Sequence, residues 1–439
     1  MNQDQVTRGY CQMLDGCETL PRSQLKQQHD IMLERLCRHA RNTTEFYADR
    51  LAPLFDQQDQ FSLEAWSDIP PLTRRDLADN FDALKSNDVP ENFGNTRLAQ
   101  SSGSSGQPVK ALWTDSQVIA ANCIGRRLHN WHGIDPSEFL VLVYATPLEE
   151  GQFESEHDHW APVYKSLGVA GRCVTINGQL PTQHIFNRLE ELKPDHLNIN
   201  PRLLFAIANE YLAQEKKPEY RLKSIGTFGE TRTELIGDRI DLVFGVRPYA
   251  RYTADEIGHI AIECPDCGTY HVAEEVIHAD VVDNHLKPVG PGQTGRILTT
   301  PLYSYAMPLI RYELGDEVTL ADGTCWRAQG TSIAQIDGRL GDLFHHPQGG
   351  RFRPNRAILN QLAHHLKAAA VQIVQQAPQR FVIRFQPTST APSRATIAIL
   401  HQELEDSFGF KVTVDLVPVA EIPALANGKR EDFVCAIAQ

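Results

Sequence analysis

The densest run of chemistry-bearing residues is Ser101-Ser102-Gly103-Ser104-Ser105-Gly106, followed by Gln107-Pro108-Val109. Hydroxyl residues and glycines in such a run let backbone N–H and side-chain O–H groups curl around phosphate oxygens. A flexible Gly/Ser linker has the same composition. This tract, however, is short and leads straight into Val109-Lys110-Ala111-Leu112-Trp113, which reads as a strand. It is not a Walker loop, because Gln107 stands where that motif has lysine. A second constellation is Cys264-Pro265-Asp266-Cys267-Gly268-Thr269-Tyr270-His271. Two thiols separated by two residues, with glycine after the second, form a tight turn whose sulfurs converge on one ion. His271 offers a third donor and Cys325 a fourth, the set of a structural zinc. A redox pair and unrelated reduced thiols are the alternatives; a redox pair normally opens a helix near a βαβ unit, which is absent here. A third cluster is His157-Asp158-His159-Trp160. Side chains 157 and 159 share a face only in a strand, and no further ligand stands nearby.

Other short segments are individually weak: Gly229-Glu230-Thr231, Tyr252-Thr253-Ala254-Asp255-Glu256, Arg311-Tyr312-Glu313-Leu314-Gly315-Asp316, Gly338-Arg339-Leu340-Gly341-Asp342 and Asn427-Gly428-Lys429. In this order and spacing they resemble the adenylate-forming superfamily, most closely its phenylacetate–CoA ligase-like branch. The resemblance takes in nearly the whole chain. Gln27-Gln28-His29, Phe46-Tyr47, Pro70-Pro71-Leu72-Thr73-Arg74-Arg75-Asp76-Leu77 and Pro308-Leu309-Ile310 belong to it as well.

The resemblance implies that a carboxylic acid is coupled to ATP with release of pyrophosphate, and that a thiol then attacks the acyl-adenylate. Ser101, Ser102, Gly103, Ser104, Ser105 and Gly106 would hold the β- and γ-phosphates, with Gly229, Glu230 and Thr231 lining the nucleotide pocket. Tyr252 would stack on adenine, and Asp316 would accept from the ribose hydroxyls. Glu256 would bind Mg²⁺, Lys429 would reach the α-phosphate and the acid, and Arg339 would serve the reaction from the hinge. These types suit the chemistry. Two anions must meet, so Mg²⁺ and a lysine offset their repulsion. A carboxylate suits paired hydroxyls because it only accepts. Some relatives look similar in carrying a structural zinc at the Cys264 segment. His157, His159 and Trp160 lie where the family builds its acyl pocket and are expected to contact the acid.

CoA is the thiol this branch favours. A carrier-protein phosphopantetheine is the rival, and a nucleotide-binding protein without turnover is the rival from another class. The sequence departs from the family in three places. Gln107 replaces a basic residue, Glu313-Leu314 precedes Gly315-Asp316 in place of Arg-Thr, and Gly341 replaces the first acid of the hinge pair. Relatives often form homodimers, and the branch tilts the acid toward aryl types.

The elements that must position these residues read as α/β. Leu25, His29, Met32, Leu33, Leu36 and Ala40 recur on one helical face. Thr73 with Asp76 forms a capping-box variant before a short helix. From Phe139 to Val246 apolar strands alternate with helical stripes, which argues for a mainly parallel sheet. Residues 250–330 carry short strands between Gly, Pro and Asp-Gly turns, an antiparallel, barrel-like texture. The expected architecture is a large N-terminal body, residues 1–338, with mainly parallel sheets plus a small β-barrel-like part. A small α+β lid domain, residues 339–439, follows it.

Composition narrows the classes further. The 439 residues are 41% hydrophobic and 22% charged, which is globular usage rather than collagen-like, coiled-coil or disordered. A formal charge of −13 argues against a phosphate-backbone binder, so no nucleic-acid partner is expected. No apolar run is long enough to span a bilayer, and the first residues lack a signal-peptide layout. A cytoplasmic location and no membrane partner are expected, and nine dispersed cysteines fit reduced thiols there.

Overall fold

The computed structural model describes residues 3–100, 109–144, 153–229, 234–323, 325–327, 330–339, 344–352, 354, 357–387, 394–422 and 431–437. For a few of these, Arg339 included, it describes the backbone alone. Two compact units emerge, Met1–Ile336 and Asp337–Gln439.

The first unit opens with helices Gln3–Cys17 and Arg22–Thr43. On the second, Leu33, Leu36, Cys37 and Ala40 are buried, one turn apart along a single stripe. Helix Arg74–Asp79 is short and is fixed by a complete capping box between Thr73 and Asp76.

A twelve-stranded sheet carries the unit. From one edge it runs Ile277–Val282, Thr294–Pro301, Tyr312–Leu320, Ser332–Arg339, Tyr270–Val272 and Gly258–Glu263. It continues through Tyr249–Ala254, Ser224–Thr227, His196–Ile199, Leu140–Tyr144, Cys173–Asn177 and Glu154–His157. Strands Tyr249–Ala254, Ser224–Thr227, His196–Ile199, Leu140–Tyr144 and Cys173–Asn177 pair parallel. Helices Thr182–Leu192, Pro201–Ala213 and Glu234–Phe244 connect successive members, as parallel pairing requires. Val141, Val143, Ile199 and Ile225 are buried against those helices together with Ile185, Leu189, Leu204 and Ile240.

The remaining strands pair antiparallel and continue the parallel ones in the same sheet. Their sheet is strongly curled. Tyr252 and Asp316 sit on strands four places apart in the order, yet their side chains touch. A flat sheet would hold those strands about 19 Å apart.

The second unit is α+β. Strands Thr413–Pro418, Arg380–Pro387, Ala368–Ala377 and Phe433–Cys435 form one sheet in that order. Phe381, Ile383 and Phe385 alternate inward and meet Leu362 and Leu366 of one helix and Leu400 and Leu404 of the other.

Candidate active site

The Tyr252 hydroxyl donates to Asp316 Oδ2 at 2.7 Å. Tyr252 belongs to the Tyr249–Ala254 strand, and Asp316 to Tyr312–Leu320, where Gly315 adopts a φ of +81°. Only glycine enters that region at little cost, so the turn of backbone just before Asp316 is a sequence requirement. Four residues beyond Tyr252, Glu256 is 4% exposed, and its Oε1 accepts from the Tyr312 hydroxyl at 2.9 Å. Among the described residues no donor is bonded to its other oxygen.

The strands flanking the serine-rich run are held to the same place. Thr96–Gln100 pairs antiparallel with Lys110–Thr114, Gln100 opposite Lys110, so residues 101–109 connect the arms of a hairpin. The indole of Trp113 on the second arm donates to the Glu256 carbonyl at 3.2 Å. Its ring also lies over Gly258, where an added Cβ would come within 3.1 Å of it. Gly229, at φ +82°, ends the Ser224–Thr227 stretch.

The Arg311–Tyr312 segment rests on the N-terminal motifs. Leu72 N–H donates to the Arg311 carbonyl at 3.0 Å, and Glu313 N–H returns to the Leu72 carbonyl at 2.9 Å. The Tyr47 hydroxyl accepts from Ile310 N–H at 3.0 Å. Arg311, 1% exposed and at φ +52°, reaches the Trp66 carbonyl at 3.1 Å and Asp280 Oδ2 at 3.4 Å. The Trp66 indole also donates to Asp280 Oδ2, at 2.9 Å. A histidine pair completes this cluster. His29 Nδ1 lies 2.7 Å from the Glu274 carbonyl and must donate to it. His29 Nε2 meets His278 Nδ1 at 2.8 Å, and His278 Nε2 meets Asp280 Oδ1 at 3.2 Å. Burial, with His278 beside it, holds the His29 imidazole below its ordinary range. Burial pushes the Asp280 carboxyl up, but the His278 hydrogen bond, the His278 and Arg311 charges and Trp66 hold it below the usual carboxylate range.

The donors of the cysteine segment converge. Cys264 Sγ, Cys267 Sγ, His271 and Cys325 Sγ offer ligand atoms that all lie within 4.8 Å of one another. Cys264 and Cys325 sulfurs are 3.9 Å apart, and Cys267 Sγ is 3.2 Å from His271 Nε2. Gly268, at φ +71°, returns its N–H to the Cys264 carbonyl at 2.9 Å and makes the tight turn. Tetrahedral zinc with bonds of about 2.3 Å to sulfur sets ligand atoms about 3.8 Å apart, so the donor set fits.

His157, His159 and Trp160 are elsewhere. His157 ends an edge strand opposite Cys173, the first residue of its own strand, and is exposed. His159 pairs with Asp158, and the Trp160 indole donates to the Glu138 carbonyl at 2.9 Å. All three stand at the amino ends of the parallel strands, whereas Gly229 and Tyr144 mark the carboxyl ends. The structure does not bring these three to the Tyr252–Asp316 pair, although the Trp160 ring packs on His129 at 5.5 Å. Ser101, Ser102, Gly103, Ser104, Ser105, Gly106, Glu230, Thr231 and Lys429 lie outside the described residues, as does the Arg339 side chain. Tyr312 and Trp113, which hold Glu256, carried no role in the sequence reading; Tyr312 stands within a motif quoted there.

No family model matches the chain. It is 26% identical over 349 residues to a protein named phenylacetate-coenzyme A ligase from Pseudomonas putida, covering 75% of this chain and 74% of that one. A phenylacetate-coenzyme A ligase from Thermus thermophilus is 26% identical over 339 residues, covering 74% and 73%. Among solved structures, a 2-hydroxyisobutyryl-CoA ligase in the postadenylation state with 2-HIB-AMP superposes with a TM-score of 0.73. It is 19% identical and covers 94% of this chain and 89% of its own. An anthranilate CoA ligase in complex with anthranoyl-AMP gives 0.55 at 16% identity, covering 76% and 65%. The fold is thus the one these adenylate-forming ligases share. In sequence the chain is similar to the phenylacetate-coenzyme A ligases.

Proposed function

We propose that this acid–thiol ligase joins a small carboxylic acid to ATP and passes the acyl group to the thiol of CoA. In the first step the acid's carboxylate attacks the α-phosphorus, forming a C–O–P bond as pyrophosphate leaves. In the second a thiolate attacks the acyl carbon, forming the thioester as the C–O bond breaks and AMP departs with its electrons.

The observation that carries this reading is the convergence of Tyr252, Asp316 and Glu256. The Asp316 carboxylate has only acceptors to offer and suits a vicinal diol such as ribose. Its bond to Tyr252 fixes the phenol ring beside that diol, where a purine would lie on it. Glu256 fits a divalent cation, since Tyr312 satisfies one oxygen and leaves the other to a ligand. Mg²⁺ held there would neutralise phosphate charge. Ser101–Gly106 would cradle the outer phosphates, tied to Glu256 through Trp113. Gly229, Glu230 and Thr231 would border the nucleotide. Lys429 would offset charge on the α-phosphate and the acid, and Arg339 would lie at the hinge of residues 339–439 acting as a lid. Cys264, Cys267, His271 and Cys325 would hold a structural zinc that clamps the Gly258–Glu263 strand to the following segments.

Pyrophosphate release across a panel of carboxylic acids, with mass spectrometry of products formed with CoA, tests the reading. Acid-dependent release and an acyl-CoA mass are expected. Release without any acyl-CoA, but with acylation of an added phosphopantetheinyl carrier protein, would move the thiol assignment to the carrier.

A further inference from the structure

Arg251 directly precedes Tyr252 on the Tyr249–Ala254 strand, so the two side chains leave opposite faces. Tyr252 turns to Asp316. Arg251 turns the other way, where its Cζ stands 4.9 Å from the centroid of the Phe228 ring. Phe228 follows the end of Ser224–Thr227, and its ring lies 5.6 Å from that of Tyr144, the last residue of Leu140–Tyr144. Both rings mark the carboxyl ends of parallel strands, where open α/β sheets take their ligands.

Among the described residues no anion is paired with Arg251. Several other partly buried arginines of this unit are paired with carboxylates, Arg127 with Glu18 and Glu275, Arg188 with Glu154, Arg296 with Glu313, Arg311 with Asp280, while Arg50 and Arg239 bond to neutral oxygens. No described carboxylate pairs with Arg251. Burial lowers its pKa, and only the phenols of Tyr249 and Tyr144 act in the opposite sense. Two imidazoles also lie in its field, and Asp255 acts with it on the Tyr144 phenol. His129 and His259 both feel its charge, and burial first, then that charge, pushes each down to about 3. Each of these neutral rings keeps one buried nitrogen without a hydrogen-bond partner, His129 Nε2 and His259 Nδ1. A desolvated guanidinium beside two under-bonded imidazoles is costly unless an anion joins them.

We propose that Arg251 selects the acid: the substrate carries a second carboxylate, remote from the reacting one, and Arg251 binds it. The inference rests on the function proposed above, because the reacting carboxylate must lie toward the Tyr252 side for its far end to reach Arg251. Phe228 and Tyr144 would then flank the body of the substrate, and the two imidazoles would supply the remaining hydrogen bonds to its far end. A charge-assisted, two-pronged Arg–carboxylate contact is among the strongest a protein makes.

The test uses the full chain and three matched pairs: benzoate with terephthalate, phenylacetate with 4-carboxyphenylacetate, hexanoate with adipate. For each pair, kcat/KM for pyrophosphate release and calorimetric binding are measured on the wild type, Arg251→Met and Arg251→Lys. The expected result is that wild type prefers the diacid of at least one pair by about ten- to hundredfold. Arg251→Met should collapse that ratio to within about twofold, and Arg251→Lys should keep part of it. Thermal denaturation shows whether each variant folds, and the retained preference in Arg251→Lys separates lost charge from lost structure. Wild type favouring the monoacid of every pair, or a diacid preference that survives Arg251→Met, would overturn the inference. If no acid of any kind releases pyrophosphate, the ligase reading itself fails. The binding ratios then decide on Arg251 alone, equal binding within each pair going against it.

Discussion

The Tyr252 hydroxyl and the Asp316 carboxylate are 2.7 Å apart although 64 residues separate them in sequence. The curl of the antiparallel strands brings them together, and neither segment alone has any reason to do so. The bond orients the carboxylate and fixes the phenol ring, as the proposed nucleotide site requires. Asp316→Ala should raise the KM for ATP by about ten- to hundredfold, the size of a lost charge-assisted hydrogen bond. Tyr252→Phe keeps the ring and should raise it only severalfold. Steady-state pyrophosphate release at varied ATP reads both, and equal effects of the two variants would contradict the division of roles.

Glu256 depends on Tyr312. Tyr312→Phe leaves a buried carboxylate short of a donor and should cost about 1–3 kcal/mol of stability. Chemical denaturation measures this. A cation at Glu256 would also bind less well, so the same variant should need more Mg²⁺ for half-maximal pyrophosphate release.

Asp280 carries a pH signature. Its folded-state carboxyl lies below its ordinary value, so its contribution to stability is present above that ordinary value and is lost as pH falls through the lower, folded value. Asp280→Asn leaves the buried Arg311 guanidinium facing a neutral amide. It should cost about 3–5 kcal/mol near pH 7. The gap to wild type should narrow steadily below about pH 4, as wild type alone loses the contribution. Urea denaturation at several pH values checks this; a gap that does not change with pH would contradict the assignment.

Protein purified without chelators should contain about one zinc per chain, and Cys264→Ser should lose it together with several degrees of thermal stability. Elemental analysis and thermal melts read both quantities. Cys325, which approaches Cys264 at 3.9 Å from 61 residues away, should matter as much as Cys267.

Much of this is legible in the sequence, and the reasons are local. The stripe Leu33, Leu36, Ala40 and the box Thr73–Asp76 follow from helical period and capping chemistry, which short windows contain. Phe381, Ile383 and Phe385 alternate as a half-buried strand must. The Cys264–Gly268 turn announces itself by spacing. Contacts set by the curl of the sheet did not announce themselves. Nothing near Trp113 points to Glu256, nor does anything near Cys11 point to Cys123, whose sulfurs meet at 3.2 Å. His157 and His159 stood out because their types suggest chemistry, and only the register shows that they lie at the amino ends of the parallel strands. Arg251 could have been noticed: a charged residue beside Tyr252 on a buried strand needs an account of its charge.

In the proposed function these segments assemble one site for making an acyl-adenylate. Acid-dependent exchange of labelled pyrophosphate into ATP measures it most directly, because it reports the first half-reaction without any thiol. Wild type should exchange label only when an accepted acid is present, and Lys429→Ala should lose at least about a hundredfold of that rate. Exchange that proceeds at full rate in Lys429→Ala, or no acid-dependent exchange in a protein that binds ATP through Asp316, would contradict it.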